Sequence, residues 1–540
     1  MQTTDDDNSK DSSERQVEAV GSHVGAGMTW MMIATVAARS STFVAQVIVG
    51  RWLGPREFGL YFTAIAISGF LTVCREAGTG AILMHRGRDA YEENAGQAFW
   101  MGLAYDVAIL AITCALAWPI ASFYKAEELA WMLVVLSAAL IPNAVSNVLF
   151  VRLRFDLRFK AFSVINTLSS VARQVSLVLF VVTGMTHMSF AWSAFVSCVV
   201  DAVCVWWVTR DAVWTRPPRI ERWRSWAGSS LWLMLTSLAN FGMDFAPFIV
   251  LGRILGGDSD IIGYYSFAYN ITAQIGVLLA FNSVVVLTPI LQRLAAQPER
   301  QSQAALRSLR SLMLAGCVAT MGLAAVFGPL EHLLFRGKFD AAVEALVILA
   351  LFYPWRITLG VTSSLLNAKG EFGRLTVLTM VECVGLFAVS LAAGMLTPTP
   401  VGISLWTGGW VMFVRIISTM VTFRPLGTSP LAVLRTMMPA WVLCTISLGT
   451  TILISRRFTI DAAILGWCTD RFPEPWGRHA ADVGCVLIHG AICATLMYLL
   501  IRPLLRSHLV DLLAVTPARI RPLLSRFLLI REMPAADQAR

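Results

Sequence analysis

Val47-Ile48-Val49-Gly50-Arg51-Trp52-Leu53-Gly54-Pro55-Arg56-Glu57-Phe58-Gly59-Leu60-Tyr61 is the stretch on which the reading of this chain turns. An apolar run ends inside it, Gly54-Pro55 turns the chain through a short polar loop, and a second apolar run opens at Leu60. The pattern returns at Ile249-Val250-Leu251-Gly252-Arg253-Ile254-Leu255-Gly256, followed by Ile262-Gly263-Tyr264-Tyr265. Apolar–Gly–Arg–x–Leu–Gly, a short gap, then apolar–Gly–x–Tyr therefore occurs twice. Self-similarity of this kind marks a chain built from two related halves. Each half opens with a helix, this loop and another helix.

Composition excludes an ordinary soluble protein. Hydrophobic residues make up 56% of the 540 and charged residues 14%, against about 45–50% and about 25% in soluble domains. Nearly all the length falls into apolar runs long enough to cross a hydrocarbon core of about 30 Å, which takes about 20 helical residues. The spans are expected at 28–50, 60–84, 97–122, 129–151, 161–183, 187–209, 229–252, 262–288, 311–335, 342–366, 375–396, 400–423, 436–455 and 481–501. The runs are too long for strands and lack barrel alternation, so they are helices. The fold class is all-α integral membrane, with about fourteen transmembrane helices.

The stretch around Arg51-Trp52-Leu53-Gly54-Pro55-Arg56-Glu57-Phe58-Gly59-Leu60-Tyr61, following a first hydrophobic span, resembles the start of bacterial polysaccharide exporters and O-antigen flippases of the multidrug/oligosaccharidyl-lipid/polysaccharide exporter superfamily. With the span count, the resemblance covers about residues 25–505. It implies a transporter with a cationic central cavity.

The repeat sets the expected architecture. Its copies open at spans 1 and 7, so each unit has six helices, related by an axis along the membrane normal. The expected parts are a disordered tail (1–25), an N-terminal six-helix bundle (26–210), a linker (211–228), a C-terminal six-helix bundle (229–423), two additional helices (424–501) and a basic tail (502–540). In that tail, apolar clusters alternating with Arg suggest a helix lying on an anionic inner leaflet over 502–531. Lys and Arg concentrate in alternate loops, for example Arg152, Arg154, Arg158 and Lys160, then Arg210, Arg216, Arg219, Arg222 and Arg224. By the positive-inside rule those loops are cytoplasmic and so are both termini. The loop 456–480 is the exception, with four Arg on the outer side. Met1–Glu18 is polar and acidic, so no cleavable signal is expected and the first span directs insertion. The location expected is the inner membrane.

The net charge of +9 is no nucleic-acid signature, because the basic residues sit in short loops and the C-terminal tail. The ten Cys show no paired spacing; Cys114, Cys198 and Cys317 lie in apolar runs and read as small hydrophobes. No P-loop, His-Glu-x-x-His or Cys-x-x-Cys occurs. No cofactor, metal or catalytic residue is expected, and the chain reads as a non-enzyme.

Five Arg lie well inside spans: Arg39, Arg75, Arg173, Arg356 and Arg415. A mid-helix charge costs roughly 2.5–3.5 kcal/mol on insertion scales. Either each is paired with an acid, and Glu76, Asp106, Asp201, Asp244 and Glu382 are available, or they face a wet cavity. Arg keeps its proton and offers a fork matching phosphate. A cavity lined by these five suits a diphosphate and suits a neutral or cationic drug badly. They are the candidate substrate-binding residues. Asp244 and Glu382 are the candidate ion-coupling residues, since a membrane carboxylate carries a proton or binds Na⁺. Pro142, Pro247 and Pro354 interrupt spans 4, 7 and 10, where kinks allow bending or serve static packing.

The function expected is a flippase moving a polyprenyl-diphosphate-linked oligosaccharide from inner to outer leaflet by alternating access. Its partners would be that lipid, the bilayer, and a glycan polymerase and glycosyltransferases of the same pathway. Two alternatives stay open. One is a multidrug or peptidoglycan-precursor exporter. The other is a membrane glycan polymerase or ligase, which would need a large outer loop; Trp467, Asp470, Glu474 and Trp476 in the short loop 456–480 are what could contact sugar.

Overall fold

The computed structural model describes residues 35, 37–76, 91–156, 158–217, 223–257, 259–471, 476–505 and 509. The tail at 1–25 and most of the helix expected over 502–531 lie outside them. Among the described residues there are helices and turns and no strand. In chain order the helices are α1 (37–52), α2 (Pro55–Glu76), α3 (Tyr91–Phe123), α4 (Leu129–Ala138), α5 (Leu140–Phe155), α6 (Phe159–Val182), α7 (Met188–Thr209), α8 (Trp223–Leu255) and α9 (Asp260–Arg293). They continue as α10 (Pro298–Phe335), α11 (Asp340–Ile357), α12 (Leu359–Ala368), α13 (Phe372–Leu396), α14 (Pro400–Phe423), α15 (Pro430–Arg457), α16 (Ile460–Arg471) and α17 (Trp476–Leu504).

Eleven stretches among the searched residues are long and apolar enough to cross a membrane, with α4–α5 and α11–α12 each forming one rod. The chain is a multi-pass, all-helical membrane protein. The three other expected spans, 28–50, 60–84 and 262–288, fall on α1, α2 and α9, which lie partly outside the described residues or side chains.

Local chemistry explains where the helices begin. Gly54 precedes α2, Pro55 takes its first position, and the Glu57 carboxylate reaches back to accept Gly54 N–H at 2.7 Å. That is half of a capping box, with Pro where no N–H is needed. Thr399-Pro400 and Ser429-Pro430 start α14 and α15 in the same manner, each hydroxyl accepting the N–H three residues on, at 3.0 and 3.2 Å. The start of α10 differs from expectation. It begins at Pro298, and the Arg-bearing segment read as loop up to residue 310 is its first three turns. Gln301, Ser302, Ala305 and Leu309 are buried at helical spacing while Arg300 and Arg307 point out. An amphipathic extension of this kind dilutes hydropathy without breaking the helix. Likewise the loop 456–480 contains a helix, α16.

Two of the three expected proline interruptions occur. The rod α4–α5 breaks at Ala139, just before Pro142, and the rod α11–α12 breaks at Thr358, just after Pro354; α8 runs unbroken through Pro247. Pro354 cannot donate to Ala350 O, four residues back. Thr320 Oγ1 on α10 takes that carbonyl at 3.1 Å, and Trp441 Nε1 on α15 donates to the adjacent Leu351 O at 2.7 Å. Neighbouring helices thus supply donors that water cannot supply in a membrane.

The helices gather into two units. The first takes the chain up to Leu53, Leu60–Phe245 and Gly256–Asp258; the second takes Gly54–Gly59, Ala246–Leu255 and Ser259 onward. In the first unit, Leu60, Ala64, Ala117, Leu129, Met132 and Ala191 form a core joining α2, α3, α4 and α7. In the second unit, Phe58 packs edge-on against both Phe267 and Phe339, which stack on each other at 3.9 Å, with Phe335 packed beside them. The same unit contains a close approach of the two copies of the repeat. A Cβ on Gly263 would fall 1.8 Å from Pro55 O, so only glycine fits.

Candidate functional site

The first unit brings two of the candidate arginines onto neighbouring turns. Arg39 on α1 and Arg173 on α6 are both half-buried. Gln174, next to Arg173, donates from Nε2 to Thr42 Oγ1 at 3.2 Å, and Thr42 lies one turn from Arg39 on α1. Arg173 Nη2 donates to Tyr61 Oη at 2.7 Å. The Tyr61 ring is held by stacking on Phe190, with centroids 4.2 Å apart and planes at 16°. Arg173 is thereby positioned by a neutral phenol, which orients the guanidinium without cancelling its charge. Asp201, one of the expected counter-charges, instead accepts from Ser169 Oγ at 2.5 Å. Asp106 is fully buried on α3, and Asp244 is exposed on α8. Arg75 lies one residue from the end of α2, and its side chain is outside the described residues.

In the second unit the arginines take contrasting positions. Arg356 is half-buried on α11, close enough to act electrostatically on the Tyr265 phenol of α9. Tyr265 is buried and shares a hydrogen bond with Thr407 Oγ1 at 3.3 Å. Arg415 on α14 and Glu382 on α13 are joined in an ion pair whose side chains are 4% and 1% exposed. Trp410 Nε1 donates to Glu382 O at 3.1 Å, bracing the same helix pair. Two residues predicted for separate roles, substrate binding and ion coupling, are thus each other's partner. Enclosed in this way, neither reaches a ligand in this conformation.

Three features went unseen in the sequence. Tyr61 and Tyr265 close the two copies of the repeated motif; each stands beside a candidate arginine of its own unit, and that shared motif position was the available signal. The third is a polar knot at one end of the first unit. Asp211, only 6% exposed, receives Arg152 Nη1 at 2.6 Å and Arg216 Nη2 at 3.0 Å, with Tyr91 Oη at 3.5 Å. Arg216 also donates from Nη1 to Glu92 O at 3.1 Å, and its own carbonyl accepts Trp100 Nε1 at 2.9 Å. Tyr91 and Asp211 are 120 residues apart in sequence, and Glu92 and Arg216 124, so loop position alone could not pair them. The knot ties the segment after α7 to α3 and α5, and it reads as structural.

The arrangement can bind an anion. A half-buried guanidinium with a neutral partner retains its charge and spare N–H donors where water is scarce, and such a group favours phosphate or carboxylate.

Residues 48–344 match the family model described as polysaccharide biosynthesis protein. The succinoglycan biosynthesis transport protein ExoT of Rhizobium meliloti (strain 1021) is 27% identical over 328 residues, covering 60% of this chain and 64% of its own length, so the match spans less than two thirds of that relative. The teichuronic acid biosynthesis protein TuaB of Bacillus subtilis (strain 168) is 24% identical over 361 residues, covering 65% and 73%. Among solved structures, the lipid II flippase MurJ in an inward closed conformation superposes with a TM-score of 0.66 at 12% identity, covering 87% of this chain and 98% of its own. At that identity the likeness is one of fold.

Proposed function

The chain belongs to the polysaccharide biosynthesis protein family, and from that premise we propose that it is a flippase for a lipid-linked oligosaccharide. A polyprenyl-diphosphate-linked glycan is taken from the inner leaflet and presented at the outer one by alternating access. The observation that carries this reading is Arg173, half-buried in a span and hydrogen-bonded to the neutral Tyr61 hydroxyl. A guanidinium kept charged inside a membrane helix is costly, and a diphosphate headgroup offsets that cost when it binds.

Arg39, on a turn adjoining that of Arg173, is assigned to the same headgroup, with Arg75 as a further contact; Arg356, near Tyr265, is assigned as a substrate contact of the second unit. Arg415 is assigned with Glu382 to a tie between α13 and α14 that reaches substrate or ion only if the pair opens. Asp244, exposed on its helix, is the better candidate for coupling to H⁺ or Na⁺. Both termini are assigned to the cytoplasm, following the Lys and Arg bias. The glycosyltransferases that build the substrate and the polymerase that consumes it are the expected partners. Nothing in the arrangement of these groups resembles a nucleophile poised beside a general base, and no catalytic role is proposed.

The test is flux of lipid-linked glycan to the outer leaflet in cells carrying Arg173→Ala, Arg39→Ala or Arg356→Ala at matched protein levels. Arg173→Ala should lower flux at least tenfold, as expected when about 1.4 kcal/mol or more of headgroup binding is lost. Unchanged flux in all three variants would refute the assignment.

A further inference from the structure

We propose that the end of α10 and the turn leading into α11 form a binding site for a divalent transition-metal cation of the zinc type, held by Glu331, His332 and Asp340. One ligand atom from each of these residues lies within 4.8 Å of the other two. The imidazole sits between the carboxylates, with Nδ1 3.9 Å from Glu331 Oε2 and Nε2 3.6 Å from Asp340 Oδ1. The turn that brings them together contains two successive left-handed residues, Arg336 (φ 61°) and Gly337 (φ 80°), which return the chain over the last turn of α10.

A second observation points to a ligand. Glu331 is fully buried, and its two oxygens are used differently. Oε1 accepts Phe339 N–H at 2.8 Å. Oε2 is also buried and accepts no hydrogen bond from any described residue, yet it faces the imidazole. Leaving a buried acceptor unmet costs roughly 1–3 kcal/mol, and more when it is charged. The surrounding charge adds to the case. Asp340 stands against Glu331, and Asp482 of α17 interacts electrostatically with both His332 and His479. Tyr264 of α9 approaches the same carboxylates. The cations of the turn are Arg336, which is exposed, and Lys338, which interacts with Glu57. A cation at Glu331 Oε2 would relieve both the repulsion between the Glu331 and Asp340 carboxylates and the unmet acceptor.

The donor set selects the ion. One imidazole and two carboxylates suit zinc, which takes nitrogen at about 2.0–2.1 Å and carboxylate oxygen at about 2.0–2.2 Å. Calcium and magnesium prefer all-oxygen shells. Tetrahedral zinc needs ligand atoms about 3.3 Å apart, and one atom from each residue, now within 4.8 Å of the others, closes to that spacing by rotation of the exposed His332 and Asp340 side chains. The ion takes one ring nitrogen, the ring turning about its torsions. The side chains of His332 and Asp340 are 56% and 58% exposed, which gives the ion a path in. Bound there, it would fasten α10 to α11.

Zinc chloride titrated calorimetrically into tag-free, full-length protein in detergent tests this. One equivalent should bind per chain, and magnesium chloride in excess should not compete. His332→Ala and Glu331→Gln should each weaken binding at least tenfold, and zinc should raise the unfolding midpoint of the wild type but not of His332→Ala. His332 is exposed, so its variant is readable even if Glu331→Gln fails to fold. No binding to the wild type, or equal binding to wild type and His332→Ala, would mark an adventitious ion only and overturn the proposal.

Discussion

Glu382→Gln isolates the energetics of the buried pair. The amide keeps the shape of the side chain and removes its charge, and the Trp410 contact to the Glu382 main-chain carbonyl is untouched. Arg415, 3% exposed, would then be a cation enclosed among apolar helices. Breaking one side of a buried pair costs about 3–5 kcal/mol, whereas an exposed pair is worth about 0–1 kcal/mol. With side chains 4% and 1% exposed, the larger range applies. The double variant Glu382→Gln/Arg415→Gln removes both charges and should recover most of the loss, since a neutral replacement of a buried pair is often without cost. The assay is a cycle of unfolding midpoints for wild type, both single variants and the double variant in one detergent. Transport measured on the same four proteins separates the roles. If Glu382 only ties helices together, the double variant regains transport with stability; if it couples an ion, stability returns and transport does not. Wild-type stability in Glu382→Gln would refute the reasoning, because Arg415 would then not depend on Glu382 for compensation.

Two further outcomes follow from packing. Gly263→Ala should strip the chain of folded protein, because its Cβ would meet the Pro55 main chain, which cannot swing aside as a side chain does; overpacking costs about 1–3 kcal/mol even in softer settings. The yield of monodisperse protein checks it, with Gly59→Ala, 3.0 Å from Ser259 O, as the milder comparison. Thr320→Val removes the hydroxyl that serves the carbonyl freed by Pro354, and it should lower stability by about 1–3 kcal/mol, while Thr320→Ser should leave the unfolding midpoint unchanged.

Eleven of the expected spans were legible because apolar runs of membrane length have few alternatives. Of the helix starts only the turn at Gly54-Pro55 was read, although Glu57, Thr399-Pro400 and Ser429-Pro430 carry capping chemistry that the structure shows in use. The beginning of α10 was not, because Arg300, Arg307 and Arg310 lower the local hydropathy although Gln301, Ser302, Ala305 and Leu309 are buried beneath them. The buried arginines could be identified individually but not paired. Arg415 and Glu382 are on different helices, and nothing in the spacing distinguishes that acid from Asp106 or Asp201. Tyr61 as partner of Arg173 was hidden for the same reason, being 112 residues away. The Glu331–His332–Asp340 cluster was hidden because its site depends on a left-handed turn that brings Asp340 back over α10.

The ion pair between α13 and α14 also bears on how the protein is made. Residues 397–399 are all that separates the two helices. Alone, α14 would offer the translocon an arginine, at about 2.5–3.5 kcal/mol for a central position, and α13 would offer a carboxylate. Released together as a helical hairpin, they partition into lipid with opposite charges already matched. Biogenesis of this region therefore has a natural unit of two helices, and a nascent chain ending between them would leave an uncompensated carboxylate in the bilayer.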